Sequence, residues 1–229
     1  MSNVLKSRKQ EMESGLQELA IYGAGGFGRH VLAIVKRINA ISPTYNVIGF
    51  YDDGFKIGDH VNGIPVIGGL DDLNNIGKPI NVVLALGWSE VRKRVPSLIT
   101  NEKVSFPTII DPSVVMPDME YAHIGKGCII CESVAFTCNL YMDDFVLLNM
   151  GTMVGHDVKL SPFVSTMPSV SISGEVSLGE AVYIGVGATV INRVEVGRNT
   201  IIGAGAVVTK SLPSDCTAVG IPAKPIKFR

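Results

Sequence analysis

The sequence has no apolar run approaching 18 residues, so no membrane-spanning helix is expected. Residues Met1 to Leu19 are polar and charged and lack the apolar stretch of a secretory signal, which predicts a cytoplasmic protein. Charge is scarce too: 18% of 229 residues, with a net charge of -1, so no basic field points to nucleic acid. Cysteine is sparse. Cys128 and Cys131 form a CxxC, but with only Cys138 and Cys216 besides them no second pair follows at zinc spacing, and unpaired thiols are expected. Histidine numbers four, and only His123 and His156 fall near the repeat described below. A zinc site built from three histidines is therefore not expected, nor any other metal.

What the sequence has is glycine, 25 residues of it, and a six-residue period. Every sixth residue from Ile124 to Val208 is large and apolar except Thr166. A second column, four residues after each member of the first, runs from Cys128 to Ala206 and is small or medium throughout, with valine dominant. Neither the helical period nor simple alternation gives this pattern. A prism does: each hexad is a short strand plus a turn, three hexads close a coil, and both columns point inward. The fifteen hexads make five coils, with an irregular one expected before them near Asp111-Pro112. The glycines that follow the first column (Gly125, Gly155, Gly179, Gly185, Gly197, Gly203) are expected to relieve tight corners. Pro222 and Pro225 are expected to cap the far edge by refusing strand pairing. Prisms of this kind bury a flat face against copies of themselves, so a homotrimer with active sites between subunits is expected.

The first part of the chain has a different pattern. Leu19 to Tyr22 reads as a strand, Gly23-Ala24-Gly25-Gly26-Phe27-Gly28 as a turn, and Arg29 to Ile38 as a helix with Val31, Ile34, Val35 and Ile38 on one face. A glycine turn between strand and helix suits a phosphate, because the first N–H groups of the helix are free there. Further strands are expected at Asn46–Tyr51, ending in Asp52-Asp53, and at Asn81–Leu86, with a helix over Glu90–Leu98. Acids at the end of the second strand commonly meet a ribose. The unit is about half a dinucleotide domain in size, which favours one nucleotide over NAD. The expected layout is a polar tail over 1–17, a Rossmann-like βαβ half domain over 18–105, and a left-handed parallel β-helix over 106–229.

His156 is the only histidine inside the uninterrupted hexads. Val154 points inward, so His156 sits near a corner and projects outward, with Asp157 beside it. An imidazole titrating near neutrality suits a general base, and a carboxylate can orient it. No Cys or Ser adjoins it in sequence, which favours direct transfer without a covalent enzyme intermediate.

With the glycine turn, the hexads, Gly155-His156-Asp157 and the terminal Gly220-Ile221-Pro222-Ala223-Lys224 together, the chain resembles the sialic-acid O-acetyltransferase-type sugar acyltransferases. Within these hexapeptide-repeat enzymes it looks like the bacterial nucleotide-4-amino-sugar N-acetyltransferases. The resemblance covers residues 18–229. It implies acetyl-CoA as acyl donor and an amino group on a nucleotide-linked sugar as acceptor, in surface polysaccharide or glycan assembly. It implies that Gly25, Gly26, Phe27, Asp52, Asp53, Gly87 and Arg92 line the nucleotide-sugar site. His156 would take the proton from the sugar amine, with Asp157 standing where better-known members carry Glu. The backbone N–H near Gly174 would hold the thioester oxygen, pantetheine would pass Val186 and Ala204, and Lys210 and Lys224 would meet the CoA phosphates. Some members carry a second histidine against acetyl-CoA nine residues after the catalytic one, and here that position is Ser165. The other readings are a sugar O-acetyltransferase and a non-catalytic hexapeptide scaffold.

Overall fold

The computed structural model describes residues 15–229, so the tail expected over 1–17 lies almost wholly outside the described residues. The chain divides into two compact units. One holds the described residues up to Ala85 together with Leu98–Pro107, and the other holds Leu86–Ser97 together with Thr108–Arg229.

In the first unit, β1 (Gln17–Tyr22), α1 (Gly26–Ile41) and β2 (Tyr45–Tyr51) follow the expected order. Two strands were not foreseen, β3 (His60–Val61) and β4 (Ile64–Gly68), which form a hairpin. After them come α2 (Leu70–Asn74), β5 (Ile80–Leu84), α3 (Ser89–Leu98) and a short β6 (Val104–Ser105). The sheet order is β3-β4-β2-β1-β5-β6, parallel except for β3. Connections leave β1 in opposite directions toward β2 and β5, the topological switch where open α/β sheets receive ligands. The helix α1 buries Val31, Leu32, Ile34 and Val35, the apolar stripe read from its spacing. Gly28 is obligatory: a Cβ there would lie 1.9 Å from the Gly23 carbonyl oxygen. Any larger residue would push the helix off the strand that precedes it.

The second unit is the left-handed parallel β-helix that the hexads predict. Fifteen two-residue strands run from His123–Ile124 to Val207–Val208. Every third one pairs in parallel, as Ala135 pairs with Met153, so each coil takes 18 residues. Both inward columns are buried except at Ile124, where the first is only partly so; Cys128, Val134, Val158 and Val176 have 0% exposure. The coil before them begins at Ile109–Ile110, paired with Ile129–Ile130.

The corners depart from expectation in an instructive way. Every sixth residue from Gly127 to Gly205 has positive φ, and most of these residues are not glycine: Ser133, Asn139, Phe145, Asp157 and Arg193 are examples. The glycines that follow the first column do not make the turn. They are there because the next coil is too close for a side chain. A Cβ on Gly155 would sit 2.5 Å from the Gly174 nitrogen, and one on Gly185 would sit 2.5 Å from that of Ala204. The C-terminal edge also differs. Lys224–Phe228, Pro225 included, folds back antiparallel on Cys216–Val219, so the edge is covered by a paired strand. Pro225 lies on an edge strand, where its missing N–H costs no ladder bond.

The segment 86–97, which the sequence places in the first domain, belongs with the β-helix. Its anchor is Arg92, 1% exposed. The guanidinium donates to the carbonyls of Leu86 (2.7 Å), Phe145 (3.0 Å), Phe163 (3.3 Å) and Val164 (3.0 Å) and to Ser165 Oγ (2.6 Å). No carboxylate pairs with it among the described residues. Burial pulls its pKa down to about 9, so the group stays charged at neutral pH. Phe145 and Phe163, with φ of 57° and 64°, stack at 5.3 Å beside the carbonyls they supply.

Candidate active site

The hexad register puts residues 18 apart directly over one another, and this builds the site. Met153–Val154 is a strand whose Val154 points into the core, Gly155 passes under Gly174, and His156 turns outward at the corner. Its side chain is 53% exposed. His156 Nδ1 lies 2.8 Å from Asp157 Oδ2. The other carboxylate oxygen, Oδ1, accepts from Asn139 Nδ2 at 2.9 Å, one coil back. The Asp157 amide donates to the Cys138 carbonyl at 3.2 Å. Hydrogen bonds from His156 and then Asn139 hold the Asp157 carboxyl below its ordinary range. An ionised carboxylate only accepts, so Nδ1 carries the proton between the two side chains. That leaves Nε2 as the nitrogen able to accept a proton.

Gly174 lies on the next coil, against the ring. A Cβ there would be 2.4 Å from His156 Nε2, so only glycine leaves room for the imidazole in this pose. Its amide donates to no acceptor among the described residues. An unspent N–H beside a basic nitrogen is what a developing oxyanion requires.

The remaining predicted residues are distributed as follows. Gly25 and Gly26 are exposed, with open space where a side chain would stand on Gly25. Gly25 caps α1 without a side chain, and no acid occupies the first turn, so the helix start presents bare amides. Asp52 Oδ2 accepts from the Ala24 amide at 2.7 Å and thereby shapes the glycine turn. Asp53 accepts from Tyr22 Oη at 2.8 Å and from the Leu70 amide at 2.9 Å. Gly87 is half-buried, in the segment that packs with the β-helix. Val186 and Ala204 share one exposed corner of the prism, one coil apart, but not the corner of His156. Lys210 is exposed and stands at the His156 corner, three coils on; Lys224 is exposed on the last strand.

Two residues are turned away from any ligand. Arg92 and Ser165 are both buried and bonded to each other, so neither reaches a nucleotide sugar or a thioester. A cation with five protein acceptors has spent the fork geometry that would recognise a phosphate. Conversely, the sequence reading missed Asn139, which lies 17 residues before His156 and becomes its neighbour only through the coil. The signal was there in the 18-residue register. A cavity of about 520 Å³, lined by Trp88, Lys93, Arg94, Asn199 and Arg229 among others, contains none of the predicted site residues. His156 stands at an open corner instead.

A coiled prism of hexads with an outward imidazole, a paired aspartate and a free amide beside it is the frame of a hexapeptide-repeat acyltransferase. Comparison with known proteins narrows this. The PglD N-terminal domain family matches residues 18–98, and the bacterial transferase hexapeptide family matches residues 175–210. GDP-perosamine N-acetyltransferase of Escherichia coli O157:H7 is 33% identical over 216 residues, covering 90% of this chain and 95% of that protein. PerB of Caulobacter crescentus, solved with CoA and GDP-perosamine, superposes with a TM-score of 0.79 at 29% identity, over 92% of this chain and 97% of that one. The acetyltransferase domain of PglB from Neisseria gonorrhoeae FA1090, solved with acetyl coenzyme A, gives 0.83 at 31% identity, over 93% and 100%. The chain belongs to this family of sugar N-acetyltransferases, and it is an acetyltransferase.

Proposed function

We propose that this protein transfers the acetyl group of acetyl-CoA to the amine of a nucleotide-linked amino sugar, with His156 as general base. The observation that carries the reading is the His156 corner, with Nε2 free and the Gly174 amide unspent beside it. The neutral sugar amine attacks the thioester carbonyl carbon, and Nε2 takes the proton that the nitrogen must lose. The carbonyl oxygen becomes an oxyanion held by the Gly174 N–H. Collapse breaks the carbon–sulfur bond, and the imidazolium returns the proton to the departing thiolate, giving the amide and free CoA.

The α1 amides at Gly26 and Phe27 take the sugar nucleotide's phosphates. The acceptor is a 4-amino-4,6-dideoxy sugar, and GDP-perosamine, the compound named for two of the relatives, is the first to test. The active enzyme is a trimer with sites between subunits, which gives the exposed His156 corner its missing walls. No helix among the described residues is long and apolar enough to cross a membrane, and a nucleotide-sugar acceptor places the reaction in the cytoplasm.

The test is thiol release from acetyl-CoA with GDP-, UDP- and dTDP-linked 4-amino sugars and a sialic acid hydroxyl acceptor. A nucleotide amino sugar should be acetylated by the parent and not by His156→Asn. Acetylation of the hydroxyl alone, or equal turnover by both proteins, overturns the reading. Direct transfer also predicts no acetyl-enzyme on incubation with acetyl-CoA alone. Cys138, one coil from His156, is the residue to inspect by mass spectrometry.

A further inference from the structure

We propose that Asn139 is a positioning residue for the His156–Asp157 pair. The inference rests on the reading of His156 as general base and adds a third member that sequence adjacency does not reveal. Asn139 and Asp157 occupy the same corner position on successive coils, both with positive φ, 54° and 57°. Asparagine and aspartate adopt this conformation more readily than other residues besides glycine. Stacking them there brings the amide of one onto the carboxylate of the other at 2.9 Å. The carboxylate then divides its oxygens, Oδ1 to Asn139 and Oδ2 to the imidazole at 2.8 Å.

The division matters because the pair is exposed. An aspartate on a short side chain, about half open to water, samples other rotamers unless something holds it. Asn139 holds it from the far side, and the Asp157 amide bond to the Cys138 carbonyl fixes the backbone below. The residue type suits the task. A carboxylate only accepts, so the Asn139 side chain must present its NH₂. A neutral donor orients the carboxylate without drawing it away from the imidazole, as Lys or Arg would. The charged groups next along this edge are Glu175 and Arg193, one and two coils on, and they pair with each other at 3.1 Å. Asp157 is thus the carboxylate left to the imidazole.

The informative variant is Asn139→Gly, because glycine keeps the positive φ and removes only the side chain. Turnover should fall about tenfold with the KM of both substrates within about twofold. The acid limb of the kcat/KM profile should move to lower pH, since a loosened carboxylate supports the imidazolium less. Asn139→Asp should be worse than Asn139→Gly, since it sets like charges against one another. In an Asp157→Asn background, Asn139→Gly should cost nothing further. A heteronuclear titration of the His156 ring in parent and Asn139→Gly, made without substrate, reads the same coupling if the double variant is too slow to assay. An unchanged profile and titration in Asn139→Gly, or equal losses in both backgrounds, overturns the proposal. If His156→Asn is as active as the parent, the general-base reading itself has failed; if His156→Asn is inactive and Asn139→Gly is unimpaired, only the role of Asn139 has failed.

Discussion

Arg92 and His156 are both ionisable, both in the β-helical unit, and held in opposite ways. Arg92 is sealed from water and has five acceptors, every one of them neutral. His156 is half exposed, with a single polar partner on one nitrogen and none on the other among the described residues. A group whose every nitrogen is bonded inside the protein is structural whatever its chemistry could offer. A group with one nitrogen fixed and one left open is equipped to exchange a proton. Residue type alone does not separate the two cases, and the sequence reading put both in the site.

The largest expected effect tests the open member. His156→Asn should lower kcat/KM by about 10³-fold, within the range for a general base, and leave the thermal midpoint where it was. A stability loss of comparable size would erase the contrast. Arg92→Met should do the reverse. It strands buried carbonyls and the Ser165 hydroxyl, so urea unfolding should show a loss of about 3 kcal/mol, with KM for both substrates unchanged in the protein that remains folded. A selective rise in the nucleotide-sugar KM would return Arg92 to the site. Ser165→Ala sharpens the same point at smaller cost. Losing the 2.6 Å bond to Arg92 should destabilise by about 1–2 kcal/mol without changing the acetyl-CoA KM. The smallest effect belongs to Thr166→Val. Thr166 Oγ1 meets Thr152 Oγ1 at 2.9 Å inside the prism, but Thr152 also reaches the Asn149 carbonyl at 2.7 Å. The Asn149 amide, 3.1 Å from Thr166 Oγ1, is the main loss, and a destabilisation of about 1 kcal/mol is expected by the same urea measurement.

The β-helix was legible because its period is a steric requirement repeated fifteen times. Val134 or Leu178 can be placed from the column alone. The first unit was legible only where a periodic stripe or glycine turn marked it. His60–Val61 and Ile64–Gly68 escaped because strands of two and five residues carry too little alternation to stand out from a loop. The helix Ser89–Leu98 was found, but its allegiance was not, since one buried arginine settles that and a charged residue in a sequence reads as surface. At the site, His156 and Asp157 were readable as neighbours in the chain. Asn139 and Gly174 stand beside them only across the coil, at offsets of about 18 that a motif search along the chain does not sample.

The 18-residue register has one more consequence. The strands of each coil pair only with strands of the coils above and below. A whole coil could be duplicated or excised beyond Arg193 without touching a side chain around His156. Each such edit would move Lys210 and the covering strand by about 4.8 Å along the axis. The distance from imidazole to covering strand is therefore set in whole coils rather than in single residues.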